Sequence, residues 1–285
     1  MKKIVIPIGL VIVLIAGLMM TFSRGSAESP TFMREVLPKQ DGFASVGNGT
    51  TGGSNATEQN VFKVTNKKEF VAALKDRKNT APKIVLVYGT IDFDTDDTGK
   101  PLTMKDYMVD GYDFQQYLET HKPQSTAPKS LKDEQEEKRK ASQKNQSQSI
   151  TVHVPANTSI IGMDNAKLKG VDLVLDADNI IIRNIRFESP YDYFPAWDPK
   201  DGPEGNWNSQ YDSLSIKGGT HIWIDHCSFQ DAPETVETYF GRKYEHRDGL
   251  LDITNQADYI TISYSTFENH NKTMLIGNSD SNVAD

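Results

Sequence analysis

At 285 residues, with 37% hydrophobic and 25% charged side chains, the chain can form one large domain or two small ones, and it is too apolar for wholesale disorder. Its single cysteine, Cys227, excludes a disulfide scaffold. A formal charge of −8, from 31 basic against 39 acidic side chains, disfavours nucleic acid as a partner. It also sits awkwardly with an acidic ligand unless a cation bridges the two.

Lys2 and Lys3 precede an apolar run from Ile4 to Phe22, and Gly25-Ser26-Ala27 follows with the small residues a signal peptidase cuts after. The pattern reads as a secretory signal peptide over residues 1–27, with a retained anchor as the rival reading; Pro7, Gly9 and Gly17 weaken the anchor. Removing that segment leaves 28 basic against 39 acidic side chains, a formal charge of −11. Nothing else in the sequence could cross a membrane, so the exported protein is expected to be extracellular and membrane-free.

Residues 42–55 are rich in Gly, Thr and Asn and read as loop, without the GK[ST] of a phosphate cradle. Asn66 is placed to cap a short helix running to Leu74, with Phe70, Val71 and Leu74 at helical spacing. Lys83 to Ile91 is apolar and β-branched, a buried strand. Residues 95–150 differ in texture, being polar with Tyr107, Tyr112, Phe114 and Tyr117 interspersed. Within them Asp133 to Lys144 suits an exposed helix with charge pairs four residues apart, and the segment reads as a solvated surface insertion.

From Thr151 onward short β-branched runs recur. Ile180 to Phe187, Ile222 to Phe229 and Ile260 to Phe267 align, each ending in Phe. Each is preceded by a shorter run: Leu173-Val174-Leu175, Leu214-Ser215-Ile216 and Leu251-Asp252-Ile253. Recurrent strands with loops of unequal length and no helix between them predict an all-β solenoid, a parallel β-helix with long loops and the short N-terminal helix. A β-sandwich is the other all-β reading, and the repeated Phe favours the solenoid. Ile185, Cys227 and Ser265 would then form one stacked column.

Polar residues lie between these runs. Asp212 stands just before one strand, and Asp248 and Asp252 flank the start of the next. Neighbouring coils of a solenoid bring such residues within about 5 Å. Carboxylates that close would repel unless a cation joined them, and Ca²⁺ suits oxygen ligands in flexible geometry. Scattered surface aspartates are the plainer explanation by spacing alone.

The segments Trp207 to Asp212 (WNSQYD), Gly219 to Phe229 (GTHIWIDHCSF) and Arg247 to Ile253 (RDGLLDI) resemble the pectate lyase family, polysaccharide lyase family 1, in its secreted bacillus type. GTTGG at Gly49 to Gly53, PANTSIIG at Pro155 to Gly162 and YDYFPAWDP at Tyr191 to Pro199 extend the resemblance over nearly all of residues 28–285. It implies a right-handed parallel β-helix acting as a monomer on polygalacturonate of plant cell walls. The expected reaction is Ca²⁺-dependent β-elimination to 4,5-unsaturated oligogalacturonides. Carried over by position, Asp212, Asp248 and Asp252 are the Ca²⁺ ligands, and Lys272 binds the substrate carboxylate.

The WIDH segment is expected to be structural, with His226 a hydrogen-bonded core histidine and Asp225 tying it or a neighbouring coil. Trp223, Phe187, Phe229 and Phe267 are expected in the core, and Cys227 as a small buried residue. The family's base is an arginine in an RAPR-like segment beyond the lysine. The sequence stops at Asp285 without it, so the expectation is a domain incomplete at its C-terminus and inactive as it stands. A non-catalytic pectate-binding β-helix is the alternative. A pectin lyase is disfavoured, because a neutral ester substrate would leave the aspartates unexplained.

Overall fold

The computed structural model describes residues 31–277. The secretory signal expected over residues 1–27 lies outside them.

The three predicted runs are successive rungs of a parallel β-helix. Ile180, Ile222 and Ile260 stand side by side in register, as do Ile182, Ile224 and Ile262. Leu173, Leu214 and Leu251 form a matching column on a second face. Phe187, Phe229 and Phe267 form one on a third, with rings stacked at 4.7 and 4.9 Å. The cause is the period of two in each strand: one set of side chains points inward, and parallel pairing places like on like along the axis. Each of the fully buried side chains, Ile180, Ile182, Ile222, Ile224, Leu173, Leu214 and Leu251, contributes roughly 1.5–3 kcal/mol by leaving water, and the half-buried Ile260 and Ile262 less.

One coil reads strand Asp172–Leu175, strand Ile180–Arg183, then strand Arg186–Glu188. The next reads Leu214–Lys217, Thr220–Asp225 and Ser228–Gln230; a third reads Leu251–Thr254, Asp258–Ser263 and Thr266–Glu268. The long strands Lys83–Asp92 and Thr158–Lys169 lie beneath, each serving two faces at once. The bend between the second and third strands of each coil places Asn184, His226 and Tyr264 at positive φ, a column of left-handed residues. Ile185 and Cys227 are buried beside it, and the Cys227 N–H donates to Ser265 Oγ at 3.2 Å.

The loop before the first strand is held against the outside of the coils. Gly53 N–H donates to Ser159 Oγ at 2.8 Å, and Thr51 and Gly52 N–H both reach Asn179 Oδ1. A Cβ on Gly53 would stand 1.9 Å from the Lys83 carbonyl oxygen, which accounts for the glycine pair of GTTGG.

Among the described residues four α-helices precede the coils: α1 (Lys67–Leu74), α2 (Met104–Tyr107), α3 (Phe114–His121) and α4 (Lys129–Ile150). In α1 the Asn66 side chain accepts from Glu69 N–H, as its capping position predicts. Among the described residues no helix follows Ile150.

The reading of residues 95–150 as a solvated insertion needs correction. Helix α4 does carry surface ion pairs, such as Lys138 with Glu134 at 2.6 Å. Its other face is buried, although that face is polar: Gln135, Arg139, Ser142, Gln143 and Gln146 are all shielded. Arg139, Gln143 and Gln146 satisfy backbone groups of the loop at 191–194, and Gln135 and Ser142 those of residues 109–113, which apolar residues could not do. Arg139 Nη1 donates to Phe194 O at 2.6 Å, and Gln146 Nε2 donates to Tyr191 O at 2.6 Å. The tyrosines of α2 and α3 join Trp197, Trp207 and Tyr244 in a separate aromatic core.

His226 also departs from expectation. It is exposed, at the left-handed bend, with its ring stacked on Tyr264 at 4.9 Å and Nδ1 at 2.8 Å from Asp225 Oδ2. Its neighbour is the buried hub: Asp225 accepts from Arg183 Nε at 2.8 Å and Ser263 Oγ at 2.7 Å, joining three coils.

Candidate functional site

Two carboxylates meet on the outer side of the face formed by Asp172–Leu175, Leu214–Lys217 and Leu251–Thr254. Leu214 and Ile216 point inward, so Ser215 points out, and in register beside it stands Asp252. Asp212 precedes the same strand and curls back, its Oδ2 accepting from Ser215 Oγ at 2.8 Å. Its Oδ1 is buried without a hydrogen-bond partner.

Gly249 lies between them. A Cβ there would stand 2.7 Å from Asp212 Oδ1 and 2.9 Å from Asp252 Oδ1, so both oxygens converge over space that only glycine leaves free. Burial, then the charge of Asp252, pushes the Asp212 carboxyl up to about 7 against the opposing bond from Ser215. Asp252 is also raised, first by burial, while the Leu275 N–H bond at 3.1 Å opposes the shift. An orphaned buried oxygen and a second carboxylate across a glycine cradle fit a hard cation.

Asp248 is near enough for its charge to act on both carboxyls, but it pairs with a lysine. Its Oδ1 accepts from Lys272 Nζ at 3.2 Å, in a pair open to solvent. The structure therefore brings Asp212 and Asp252 together and sets Asp248 with Lys272 beside them. No group of three or more His, Cys, Asp or Glu side chains among the described residues is arranged to hold a metal ion.

Sequence reasoning missed the residues behind this arrangement. His270 Nε2 lies 2.8 Å from the Asp248 carbonyl oxygen, and Nδ1 lies 2.8 Å from Asp231 Oδ2. Burial works to lower the His270 pKa, but the Asp231 carboxylate outweighs it and holds the value above the ordinary histidine range. Its spacing from Lys272 was visible; its partner, 39 positions away, was not. Gly249, in plain view within RDGLLD, gave no hint of its role. Arg242 and Arg247 are both engaged: Arg242 with Glu204 at 2.7 Å, and Arg247 with Glu234 at 3.1 Å and the Ser189 and Pro190 carbonyls.

The family profile described as Pectate lyase matches residues 9–105 and 125–285. A pectate lyase of Bacillus subtilis (strain 168) is 45% identical over 278 residues, covering 96% of this chain and 66% of that protein. Pectate lyase D of Dickeya chrysanthemi is 36% identical over 274 residues, covering 94% of this chain and 58% of that protein. A solved Bacillus subtilis pectate lyase mutant superposes with a TM-score of 0.84 at 46% identity, over 88% of this chain and 64% of that one. A pectate lyase bound to a hexasaccharide superposes at 0.81 and 46% identity, over 87% and 63%. The chain thus spans about two thirds or less of the length of each of these relatives. No helix among the described residues is long and apolar enough to cross a membrane.

Proposed function

Because the chain belongs to the pectate lyase family, we propose that it serves Ca²⁺-dependent β-elimination of pectate, the α-1,4-linked polymer of galacturonate. The observation that carries this reading is the convergence of Asp212 Oδ1 and Asp252 Oδ1 over Gly249, with Lys272 next to them.

The chemistry needs positive charge at one place. Elimination takes the proton from C5, beside the uronate carboxylate, and expels the glycosidic oxygen at C4. Removing that proton adds negative charge next to an anion, so the carboxylate must be neutralised. Asp212 and Asp252, with Asp248 at their side, would hold Ca²⁺, which when bound neutralises the uronate and acidifies the adjacent C–H. Lys272 would leave Asp248 for the substrate carboxylate, adding a fixed charge and orienting the ring. Ser215 keeps Asp212 Oδ2 occupied, so that Oδ1 is the oxygen offered to the cation.

Elimination also needs a base at the C5 proton. Arg242 and Arg247 are both engaged in ion pairs, and Arg247 is buried. With both engaged, we propose that residues 1–285 by themselves bind Ca²⁺ and pectate without cleaving it. The N-terminal pattern from Lys2 to Ala27 supports a secretory signal ahead of one extracellular β-helix domain over residues 28–285, working as a monomer.

The test follows unsaturated product at 235 nm with polygalacturonate, with and without chelator, alongside calorimetric binding. Binding that requires calcium, with no rise in absorbance, is the expected result. A calcium-dependent rise overturns the inactivity, and absence of binding overturns the whole proposal.

A further inference from the structure

The segment YDYFPAWDP carries family resemblance but no part of the chemistry above. Its Asp192 is fully buried and meets four parts of the fold. Oδ1 accepts from Phe194 N–H at 2.7 Å. Oδ2 accepts twice: from Gln143 Nε2 of α4 at 2.9 Å, and from Gln210 N–H at 3.1 Å. The main chain of Asp192 is bound on both sides to His246, its N–H donating to His246 O at 2.8 Å and its carbonyl contacting His246 Nδ1 at 2.7 Å.

Gln210 lies two residues before Asp212, and His246 two residues before Asp248. Asp192 therefore bonds at once to the loop that delivers Asp212 and the loop that delivers Asp248, Gly249 and Asp252. Helix α4 reaches the same place by a second route, since Tyr211 OH donates to the Gln143 carbonyl oxygen at 2.8 Å. All three donors on the Asp192 carboxylate need acceptors, so an amide in its place would set an NH₂ against an N–H.

We infer that Asp192 is the positioning residue that spaces the two acidic loops, and that α4 supports the cation site through Gln143. This rests on the calcium reading above. A surface insertion would be expected to tolerate change without effect on a site it never touches; this one is expected to alter it through two hydrogen-bonded steps.

The test uses the full chain with Asp192→Asn and, separately, Gln143→Met, which leaves the carboxylate in place and removes the helix's bond to it, along with the Gln143 bonds to Arg139 and the Phe194 carbonyl oxygen. Calcium chloride affinity is measured by calorimetry, and amide hydrogen exchange is followed without calcium. Asp192→Asn is expected to weaken calcium binding about tenfold and Gln143→Met several-fold, as the loss of one or two bonds to a charged group predicts. Exchange should rise together in 206–215 and 244–252. Calcium affinity within about twofold of the unaltered chain, with only a lower melting temperature, would overturn the inference. If Asp192→Asn does not fold, Gln143→Met decides alone. If the unaltered chain binds no calcium, the calcium reading fails, and exchange then judges the hub: coupled loss of protection upholds it, and loss confined to 190–194 sinks it.

Discussion

Lys272 Nζ lies 3.2 Å from Asp248 Oδ1, so the cation proposed for substrate is tied to a carboxylate proposed for metal. The pair is open to solvent, and such a contact is worth less than about 1 kcal/mol. Binding a uronate and a calcium ion would separate the two at little cost.

Lys272→Ala should therefore leave the melting temperature nearly unchanged while weakening polygalacturonate binding about tenfold, the loss of one charge-assisted hydrogen bond. Calorimetry on the variant checks this. A large loss of stability with unchanged binding would assign the lysine to the fold instead.

Gly249→Ala should abolish calcium binding. The added methyl would collide with Asp212 Oδ1 and Asp252 Oδ1 and drive them apart. Overpacking of this kind costs about 1–3 kcal/mol, so the chain should still fold. The expected readout is loss of the calcium-induced rise in melting temperature. A normal rise would mean the cation is held elsewhere.

Asp212 gives the metal-free chain a distinct pH response. It keeps its proton to about pH 7 when folded, whereas an unfolded chain releases it near the ordinary value of about 3.9. Between those values the folded state binds more protons, so stability falls as pH rises through the window and levels off above it. A shift of that size corresponds to roughly 4 kcal/mol, and Asp252 acts in the same direction. Melting in chelator at pH 5 and pH 8 should show the loss, and Asp212→Asn should reduce it. Calcium affinity should rise over the same interval, because cation and proton compete. Equal slopes for the two chains would refute the assignment.

The WIDH segment should divide sharply between neighbours. Asp225→Ala removes the 2.8 Å partner of the buried Arg183, which keeps Glu35 at 2.7 Å, at a cost of about 1.5–3 kcal/mol. His226→Ala removes an exposed ring stacked on an exposed tyrosine, and its contact with Asp225 Oδ2, about 0.5–1.5 kcal/mol. Denaturant melts of the two variants compare them directly, and a reversed order would restore His226 as the structural residue.

Much of the fold was legible because a solenoid repeats its interior. Ile182, Ile224 and Ile262 each satisfy the same steric demand one coil apart, so the pattern recurs in the sequence. The capped helix at Lys67–Leu74 was legible for a local reason, since Asn66 and Glu69 are three residues apart. Helix α4 was read in part. Its surface pairs follow a local rule, but its buried polar face answers to carbonyls around 50 positions away. His226 was misread because a left-handed bend turns it outward, which its apolar neighbours do not reveal.

The recurrent strand pattern, written in near neighbours, determined the class of fold and set the acidic residues at the starts of two neighbouring strands. Only the tertiary structure decided that Asp212 and Asp252 converge while Asp248 pairs with Lys272. It also decided that Asp192 and a polar helix brace the loops that carry them. Side-chain direction in loops is set by hydrogen bonds between segments far apart in the chain, and no local period records those.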